Sequence, residues 1–256
     1  MAHLSATIAS AALGFNTRVE VIIPQSAGNH TPCEKVLYML HGLGDNSTAW
    51  LTKTRIQNYA EEYGFMVVMP EVQRSFYSDM AHGSKYFTYV AYELPMICEQ
   101  LFNIRHKRNK TFVAGLSMGG YGAAKVGLTR PDFYAAAASL SGAVDMRQRV
   151  AMTIAANQLK ERYPEMPAIL GEGLEMQDKD DLFSIAESTV KQENVPKLLM
   201  TCGAQDFLLD DNRRFDAHLK SLNYGHTYME WPGDHNWDYW EECLPIVFEF
   251  FAKAGA

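Results

Sequence analysis

The sequence has few cysteines, and their spacing suggests neither a metal site nor a disulfide framework. The four cysteines, Cys33, Cys98, Cys202 and Cys243, are scattered and form no C-x-x-C pair. A zinc site is therefore not expected. No apolar run approaches the roughly 20 residues of a membrane-spanning helix, so no membrane partner is expected. Residues 1–15 contain neither a basic segment nor a strong apolar run, which favours a cytoplasmic location with reduced thiols.

Positive charge is also scarce. The chain has 23 Lys and Arg against 30 Asp and Glu, which gives a formal net charge of −7. Binding to nucleic acid depends on clustered Lys and Arg that neutralise phosphates, so a nucleic-acid partner is not expected. Internal repeats are absent too, and 256 residues suit one sizeable domain. The sequence therefore predicts a single domain over residues 1–256.

Short apolar segments alternate with helical patterns along the chain. Strands are predicted at 17–24, 35–42, 65–70, 111–117, 134–142, 197–203 and 226–233. Helices are predicted at 47–62, 89–103, 118–129, 211–222 and 236–252. Most of the strands are continuous apolar runs, which is typical of strands buried on both faces of a parallel sheet. The alternation predicts an α/β fold with helices on both faces, and segment 17–24 should form a hairpin with the residues before it.

One segment interrupts the alternation. Residues 145–196 separate two predicted strands by a stretch of helix-like and loop-like sequence, which is long for a crossover connection. We expect it to form a small cap over a site at the end of the sheet. The alternative is a plain surface excursion.

The most informative motif is "GLSMG", in which Ser117 lies between Gly115 and Gly119. It matches G-x-S-x-G, and it stands where a predicted strand ends and a predicted helix begins. A serine at such a turn has a strained backbone, and the glycines two residues away avoid collisions between neighbouring side chains. The motif predicts that Ser117 is presented as a nucleophile at a helix N-terminus. The alternative is a glycine-rich turn whose serine has no catalytic role.

A serine hydroxyl is a weak nucleophile and needs a base. His235 lies in "PGDHNW", between the last predicted strand and the last predicted helix. In hydrolases with this elbow the histidine comes last in chain order, so His235 is the predicted base. His218 and His226 fall within a helix and at a strand start, where a packing role is expected.

An acidic residue should orient that histidine from the loop after the preceding strand. Asp206 follows the strand that ends at Gly203, and it would hold the imidazole in the useful tautomer. The other carboxylates nearby are Asp210, Asp211 and Asp234. Asp234 adjoins His235 in the chain, a position that generally directs its carboxylate away from the ring.

An oxyanion hole is the third requirement of this chemistry. Its expected donors are the backbone N–H of Met118, directly after the serine, and that of Leu43 in the loop "LHGLGD" after an early strand. His41 in that loop is expected to be structural. A metal site at His41 and Asp45 would need further ligands, and the sequence offers none in range.

Several segments together resemble the esterase D branch of the α/β-hydrolases, and most closely its tributyrin-esterase type of short-chain carboxylesterases. The resemblance covers most of the chain, and it is carried by "YMLHGLGDNSTAW", "VVMPEVQRSFYSD", "FVAGLSMGGYGAAKVGL", "TCGAQDFLLDDN" and "GDHNWDYWEECLP". It implies an α/β-hydrolase fold with a mostly parallel, eight-stranded sheet. It also implies a catalytic triad of Ser117, Asp206 and His235, with Leu43 and Met118 as oxyanion donors. The expected substrates are short-chain acyl esters, including acetylated sugars, with no cofactor, and a homo-oligomer is expected because relatives often associate.

Aromatic residues in these segments are candidates for the substrate pocket. Trp50, Tyr86 and Trp237 stand in segments expected to border the site. The alternative for each is packing; Trp237 and Trp240, three residues apart, would begin the buried face of the last helix.

Three alternatives to ester hydrolysis stay open. One is hydrolysis of a thioester such as S-formylglutathione, although that branch often has Ser-Gly-Leu-Thr-Cys where this chain has His41-Gly42-Leu43-Gly44-Asp45. Another is acyl transfer to an alcohol. The third is a non-catalytic binding protein on a hydrolase scaffold, since a fold alone does not prove activity.

Overall fold

The computed structural model describes residues 1–25, 33–102 and 104–255. Within them the chain forms an eight-stranded sheet in the order β1-β2-β4-β3-β5-β6-β7-β8. Only β2 runs against its neighbours, since β1–β2 and β2–β4 are antiparallel and the other pairs are parallel. The strands are β1 (Ala2–Ser10), β2 (Phe15–Ile23), β3 (Lys35–Leu40), β4 (Phe65–Pro70), β5 (Thr111–Leu116), β6 (Ala136–Leu140), β7 (Lys197–Gly203) and β8 (His226–Trp231).

The strand predictions are confirmed, and so is the hairpin at the start of the chain. Every residue of β4 and β5 is buried, as continuous apolar runs in the middle of a parallel sheet require. At one edge, the residues of β8 are half-buried or exposed, and none is fully buried. The mostly parallel sheet places the carboxyl ends of β3, β5 and β7 along one side, where a site is expected in such folds.

Helices cover both faces of the sheet. Their bounds are α1 (Ala49–Lys53), α2 (Ile56–Tyr63), α3 (Tyr86–Thr88), α4 (Leu94–Phe102), α5 (Met118–Thr129), α6 (Met146–Ala155), α7 (Leu159–Arg162), α8 (Met166–Leu170), α9 (Leu182–Thr189), α10 (Leu209–Ser221) and α11 (Trp237–Ala254). The core on one face includes residues of α2 and α11. The core on the other face includes residues of α4, α5, α9 and α10.

The prediction of one helix at 47–62 is wrong in one respect: the helix is broken at Thr54. That residue has an extended backbone, and its hydroxyl donates to the Trp50 carbonyl at 2.5 Å and accepts from the Ile56 N–H at 3.2 Å. A threonine side chain that bonds the backbone competes with the helical pattern. Two short helices, α1 and α2, result.

The predicted helix at 89–103 begins earlier than expected. It starts with α3 at Tyr86, passes through a π-helical turn at Tyr89–Glu93 and continues as α4. Its predicted end at residue 103 lies outside the described residues. The helix predicted at 118–129 coincides with α5, and the other two differ only at their ends.

The segment 145–196 folds into the short helices α6 to α9. Its helix α9 packs on α5, where Thr189 donates a hydrogen bond to the Leu128 carbonyl at 2.9 Å. At its other end, α6 is tied to α10 by two ion pairs: Arg149 of α6 pairs with Asp211, and Arg214 of α10 pairs with Asp145, the N-cap residue of α6. The segment is therefore a packed part of the domain.

Candidate active site

Ser117 occupies the turn between β5 and α5. Its backbone has φ of 52° and ψ of −116°, a conformation that costs energy for any residue with a side chain. Three backbone hydrogen bonds hold it there. Its N–H donates to the Leu140 carbonyl at 2.9 Å, and its carbonyl accepts from the N–H groups of Tyr121 and Ala143 at 3.1 Å each. The predicted elbow is therefore present, and it is anchored to the neighbouring strand β6.

The two flanking glycines are required by close backbone contacts. A Cβ at Gly115 would lie 2.3 Å from the Gly119 carbonyl oxygen, and a Cβ at Gly119 would lie 2.4 Å from the Leu40 carbonyl oxygen. Real Cβ atoms do not approach this closely. The elbow can thus press against the end of β3 only because both positions lack a side chain.

Three predicted site residues form one hydrogen-bonded chain. His235 Nε2 lies 3.0 Å from Ser117 Oγ, and His235 Nδ1 lies 2.8 Å from Asp206 Oδ2. The Asp206 side chain is fully buried, whereas the histidine side chain is 16% exposed. This geometry suits an imidazole that donates from Nδ1 to the carboxylate and accepts from the serine hydroxyl at Nε2.

The surroundings of Asp206 keep it ionised. Burial alone would raise the pKa of this carboxyl, but the hydrogen bond and charge interaction with His235 and the N–H of Leu208 outweigh burial, and the pKa lies below its usual value. The Leu208 N–H donates to Asp206 Oδ1 at 2.8 Å. A buried carboxylate at this position can stabilise an imidazolium.

The competing carboxylates are engaged elsewhere or exposed. Asp234 accepts the backbone N–H of His235 at 2.7 Å, so it bonds the backbone of that residue. Asp211 pairs with Arg149 and Arg214, and Asp210 is exposed. Of the four candidates, Asp206 is the one that contacts the imidazole.

Each expected oxyanion donor follows directly after Ser117 or after a residue that contacts it. Met118 is the first residue of α5, where the N–H groups have no partner within the helix. Gly42 packs against the elbow, since a Cβ there would lie 3.6 Å from Ser117 Cβ, and Leu43 follows directly. Among the described residues, neither the Met118 N–H nor the Leu43 N–H has a hydrogen-bond acceptor.

His41 is a structural residue in this loop. Its side chain is 1% exposed, with Nδ1 2.9 Å from the Gly42 carbonyl and Nε2 accepting the Val72 N–H at 3.2 Å. Both ring nitrogens are therefore used to hold the loop. Across residues 1–25, 33–102 and 104–255, no three His, Cys, Asp or Glu side chains are grouped as metal ligands would be.

The structure places two of the three aromatic candidates in contact with each other and the third beside a separate cavity. Trp50 is 1% exposed and donates its indole N–H to the Leu40 carbonyl at 3.1 Å, which favours the packing alternative. Tyr86 borders a cavity of about 340 Å³ with Arg74 and Glu165, and the residues of the triad do not line that cavity. Trp237 is half-buried and packs edge-on against Trp50, with ring centroids 5.2 Å apart.

Two aromatic residues next to the imidazole were not predicted as site residues, although Trp240 was expected to be buried. The Phe207 ring lies 4.5 Å from the His235 ring, centroid to centroid, and Trp240 lies edge-on to that ring at 4.9 Å. Phe207 is 62% exposed, and the Arg149 guanidinium lies 5.3 Å from its ring centroid. The position of Phe207 directly after Asp206 was the available signal, but its exposure cannot be read from a sequence. Arg149 brings the 145–196 segment to this side of the site.

The sheet, the elbow and the Ser-His-Asp chain define the class: this is a serine hydrolase with an α/β-hydrolase fold. A family model described as "Putative esterase" matches residues 10–250, and the chain belongs to this esterase family. The resemblance seen in the sequence is thereby confirmed, and the protein is a carboxylic ester hydrolase acting on small ester substrates. Among its described residues, no helix has the length and apolar character needed to cross a membrane.

Similar proteins include an acetyl esterase of Caldicellulosiruptor saccharolyticus, 32% identical over 224 residues, which cover 86% of this chain and 84% of that protein. Among solved structures, the substrate-bound fluorophosphonate-binding serine hydrolase F of Staphylococcus aureus is 30% identical, with a TM-score of 0.88 and 98% of both chains covered. An S-formylglutathione hydrolase of the same organism is 31% identical, with a TM-score of 0.85 and 98% of both chains covered.

Proposed function

We propose that the protein hydrolyses short-chain acyl esters, from acetyl to butyryl, through an acyl-enzyme on Ser117. The observation that carries this proposal is the hydrogen-bonded chain from Ser117 Oγ through His235 to the buried Asp206. The similarity to an acetyl esterase supports a small acyl group. Acetylated sugars are the substrate class we would examine first.

In the proposed reaction, Ser117 Oγ attacks the ester carbonyl carbon while its proton passes to His235 Nε2. Asp206 stabilises the imidazolium, and the N–H groups of Leu43 and Met118 bind the oxyanion. Collapse of the tetrahedral intermediate breaks the ester C–O bond, and the alcohol takes the proton from His235. Water then attacks the acyl-enzyme, with His235 as the base, and carboxylic acid leaves Ser117.

The test is hydrolysis of p-nitrophenyl esters from acetyl to octanoyl, with Ser117→Ala as the control. We expect highest kcat/KM for the short esters and a loss of about 10⁴-fold or more in the variant. A fluorophosphonate probe should label the wild type and spare the variant. Undiminished turnover by Ser117→Ala would contradict the assignment of the nucleophile. Failure of the wild type both to label and to turn over would favour the non-catalytic alternative.

Thioester hydrolysis is a second candidate, favoured by the similarity to the S-formylglutathione hydrolase of Staphylococcus aureus. The same residues would act, and only the leaving group would differ. Turnover of S-formylglutathione measured beside the oxoesters separates the two candidates. Product analysis with an added alcohol measures acyl transfer. The cytoplasmic location and the homo-oligomer expected from the sequence stay predictions.

A further inference from the structure

The buried cation Lys125 has no part in the mechanism above. It lies on α5, seven residues or about two turns after Met118, and its side chain is 1% exposed. Its Nζ donates to Asp180 Oδ1 at 2.5 Å, to Ser78 Oγ at 2.9 Å and to the Tyr77 carbonyl at 3.1 Å. A buried charge is tolerated only when it is paired and hydrogen-bonded, and all three ammonium protons have acceptors here.

These partners belong to two different parts of the chain. Asp180 lies in the 145–196 segment, where its backbone carbonyl also accepts the hydroxyl of Tyr121 at 2.5 Å. Tyr77 and Ser78 lie in the loop after β4, in which Tyr77 has a positive φ of 48°. One ammonium on the nucleophile helix thus joins the segment to this strained loop.

The loop after β4 in turn holds the oxyanion loop. The Tyr77 hydroxyl donates to the His41 carbonyl at 2.8 Å, and both groups are buried. The Tyr77 ring occupies the space left by Gly122 of α5, where a Cβ would lie 2.4 Å from the ring. The bond to His41 is made two residues before Leu43, one of the proposed oxyanion donors.

We propose that Lys125 and Asp180 are positioning residues, which act through Tyr77 to fix the backbone at His41-Gly42-Leu43 for oxyanion binding. This inference rests on the proposed function of Leu43. It gives the 145–196 segment a role: it supplies the carboxylate that keeps the ammonium charged and in place. Burial lowers the pKa of Lys125 and the interaction with Asp180 acts against this, so an amide at 180 would weaken the charge at the centre of the network.

The test uses Tyr77→Phe and Asp180→Asn, each a conservative change. Tyr77→Phe keeps the ring in its slot and removes only the bond to the His41 carbonyl. An oxyanion donor acts in the transition state, and loss of one costs about 10²–10³-fold in kcat. Because a displaced donor is only partly lost, we expect kcat to fall about 10-fold to 100-fold in both variants, with KM within about twofold. The rate of fluorophosphonate labelling should fall in parallel.

Thr189→Val is the matched control. Thr189 is buried and also ties the segment to α5, through the Leu128 carbonyl. The two acceptors of its hydroxyl among the described residues, Leu128 and Ile185, both lie outside the loop after β4. Thr189→Val should lower the Tm while kcat per folded enzyme stays unchanged. The double variant Tyr77→Phe/Asp180→Asn should lose no more than about the larger single loss, because both changes interrupt one connection.

The possible results distinguish failure of the positioning role from failure of the esterase assignment. A wild-type kcat in either folded single variant overturns the proposal, and so does a rise in KM at constant kcat. If Asp180→Asn does not fold, a wild-type kcat in Tyr77→Phe still overturns it. Ser117→Ala in the same series tests the proposed function itself, since its full activity would remove the esterase assignment, whereas a normal Tyr77→Phe beside an inactive Ser117→Ala removes only the positioning role.

Discussion

The ring of Phe207 lies against the imidazole of His235, with centroids 4.5 Å apart and planes inclined by 52°. Phe207 is nevertheless 62% exposed, so it does not belong to the core. The same ring has the Arg149 guanidinium nearby, and Arg149 is fixed by Asp211. An exposed aromatic that contacts both the proposed base and an anchored guanidinium can restrict the motion of the imidazole and offer an apolar surface to a substrate.

Phe207→Ala should therefore weaken catalysis without unfolding the protein. Aromatic contacts of this kind contribute about 0.5–1.5 kcal/mol, which corresponds to a fall of roughly 2-fold to 10-fold in kcat/KM. Phe207→Tyr keeps the ring contact and should stay close to wild type. The measurement is kcat/KM on p-nitrophenyl acetate, with Tm as the check on folding. Equal activity of the alanine and tyrosine variants would show that the contact has no catalytic effect.

The pKa of Asp206 makes a prediction about stability at acid pH. In the folded protein this pKa lies below its usual value of 3.8, because the contacts with His235 outweigh burial. The unfolded chain therefore binds a proton more readily, so the stabilisation from Asp206 is present above about pH 3.8 and is lost as the pH falls through the folded pKa. Below about pH 5, the Tm of Asp206→Asn should therefore rise less steeply with pH than that of the wild type.

The control for this experiment is Asp210→Asn, because Asp210 is nearby in the chain and exposed. The Tm of Asp206→Asn is compared at each pH with that of this variant and with that of the wild type. If Asp206→Asn and the wild type gave parallel curves, the folded and unfolded states would bind the Asp206 proton equally. Asp206→Asn should also lose most of its esterase activity at neutral pH, since an amide at this position would favour the wrong tautomer of His235.

The sequence was sufficient for the strands and for the residues that follow them. Ser117, Asp206 and His235 each follow a strand, and the carboxyl ends of neighbouring parallel strands meet at one edge of the sheet. Periodicity and end signals therefore predicted both the strands and the place where these side chains come together. Their contacts at 2.8 Å and 3.0 Å follow from that topology.

What the sequence could not supply depends on specific side-chain contacts, some of them between distant segments. The break at Thr54 follows from a hydroxyl that bonds two backbone groups, and helical periodicity does not register such bonds. Trp50 and Phe207 are both aromatic residues in expected site segments, yet one is 1% and the other 62% exposed. The role of Lys125 depends on Asp180, 55 residues away, and no local pattern links the two.

The cysteines should not react readily in the folded protein. Burial raises the pKa of all four thiols, to about 12 for Cys98 and Cys243. Because the thiolate is the reactive form, N-ethylmaleimide at about pH 7 should leave esterase activity unchanged over an hour. The thiols should become reactive once guanidinium unfolds the chain, which serves as the control. Rapid modification of the native protein with parallel loss of activity would contradict this and would call for a thiol near the site.

Gly119 and Gly173 differ in whether there is room for a side chain. A Cβ at Gly119 would lie 2.4 Å from the Leu40 carbonyl oxygen and 2.7 Å from that of His41, whereas a Cβ at Gly173 would have no neighbour within 4 Å. Within a helix, Gly→Ala gains about 1 kcal/mol from propensity. At Gly119 this gain is opposed by overpacking against backbone, which costs about 1–3 kcal/mol or more and has no flexible side chain to relieve it.

Gly119→Ala should therefore have a lower Tm than wild type, and its folded fraction should be less active, because relief of the contact displaces the loop at His41. Gly173→Ala should be neutral, or stabilising by about 0.4–1 kcal/mol, through a less flexible unfolded chain. Thermal unfolding and kcat per folded enzyme, measured on both variants, check the pair. A Gly119→Ala protein with unchanged Tm and kcat would mean that β3 and α5 can separate without cost, and the close contact between the elbow and the oxyanion loop would then have no bearing on catalysis.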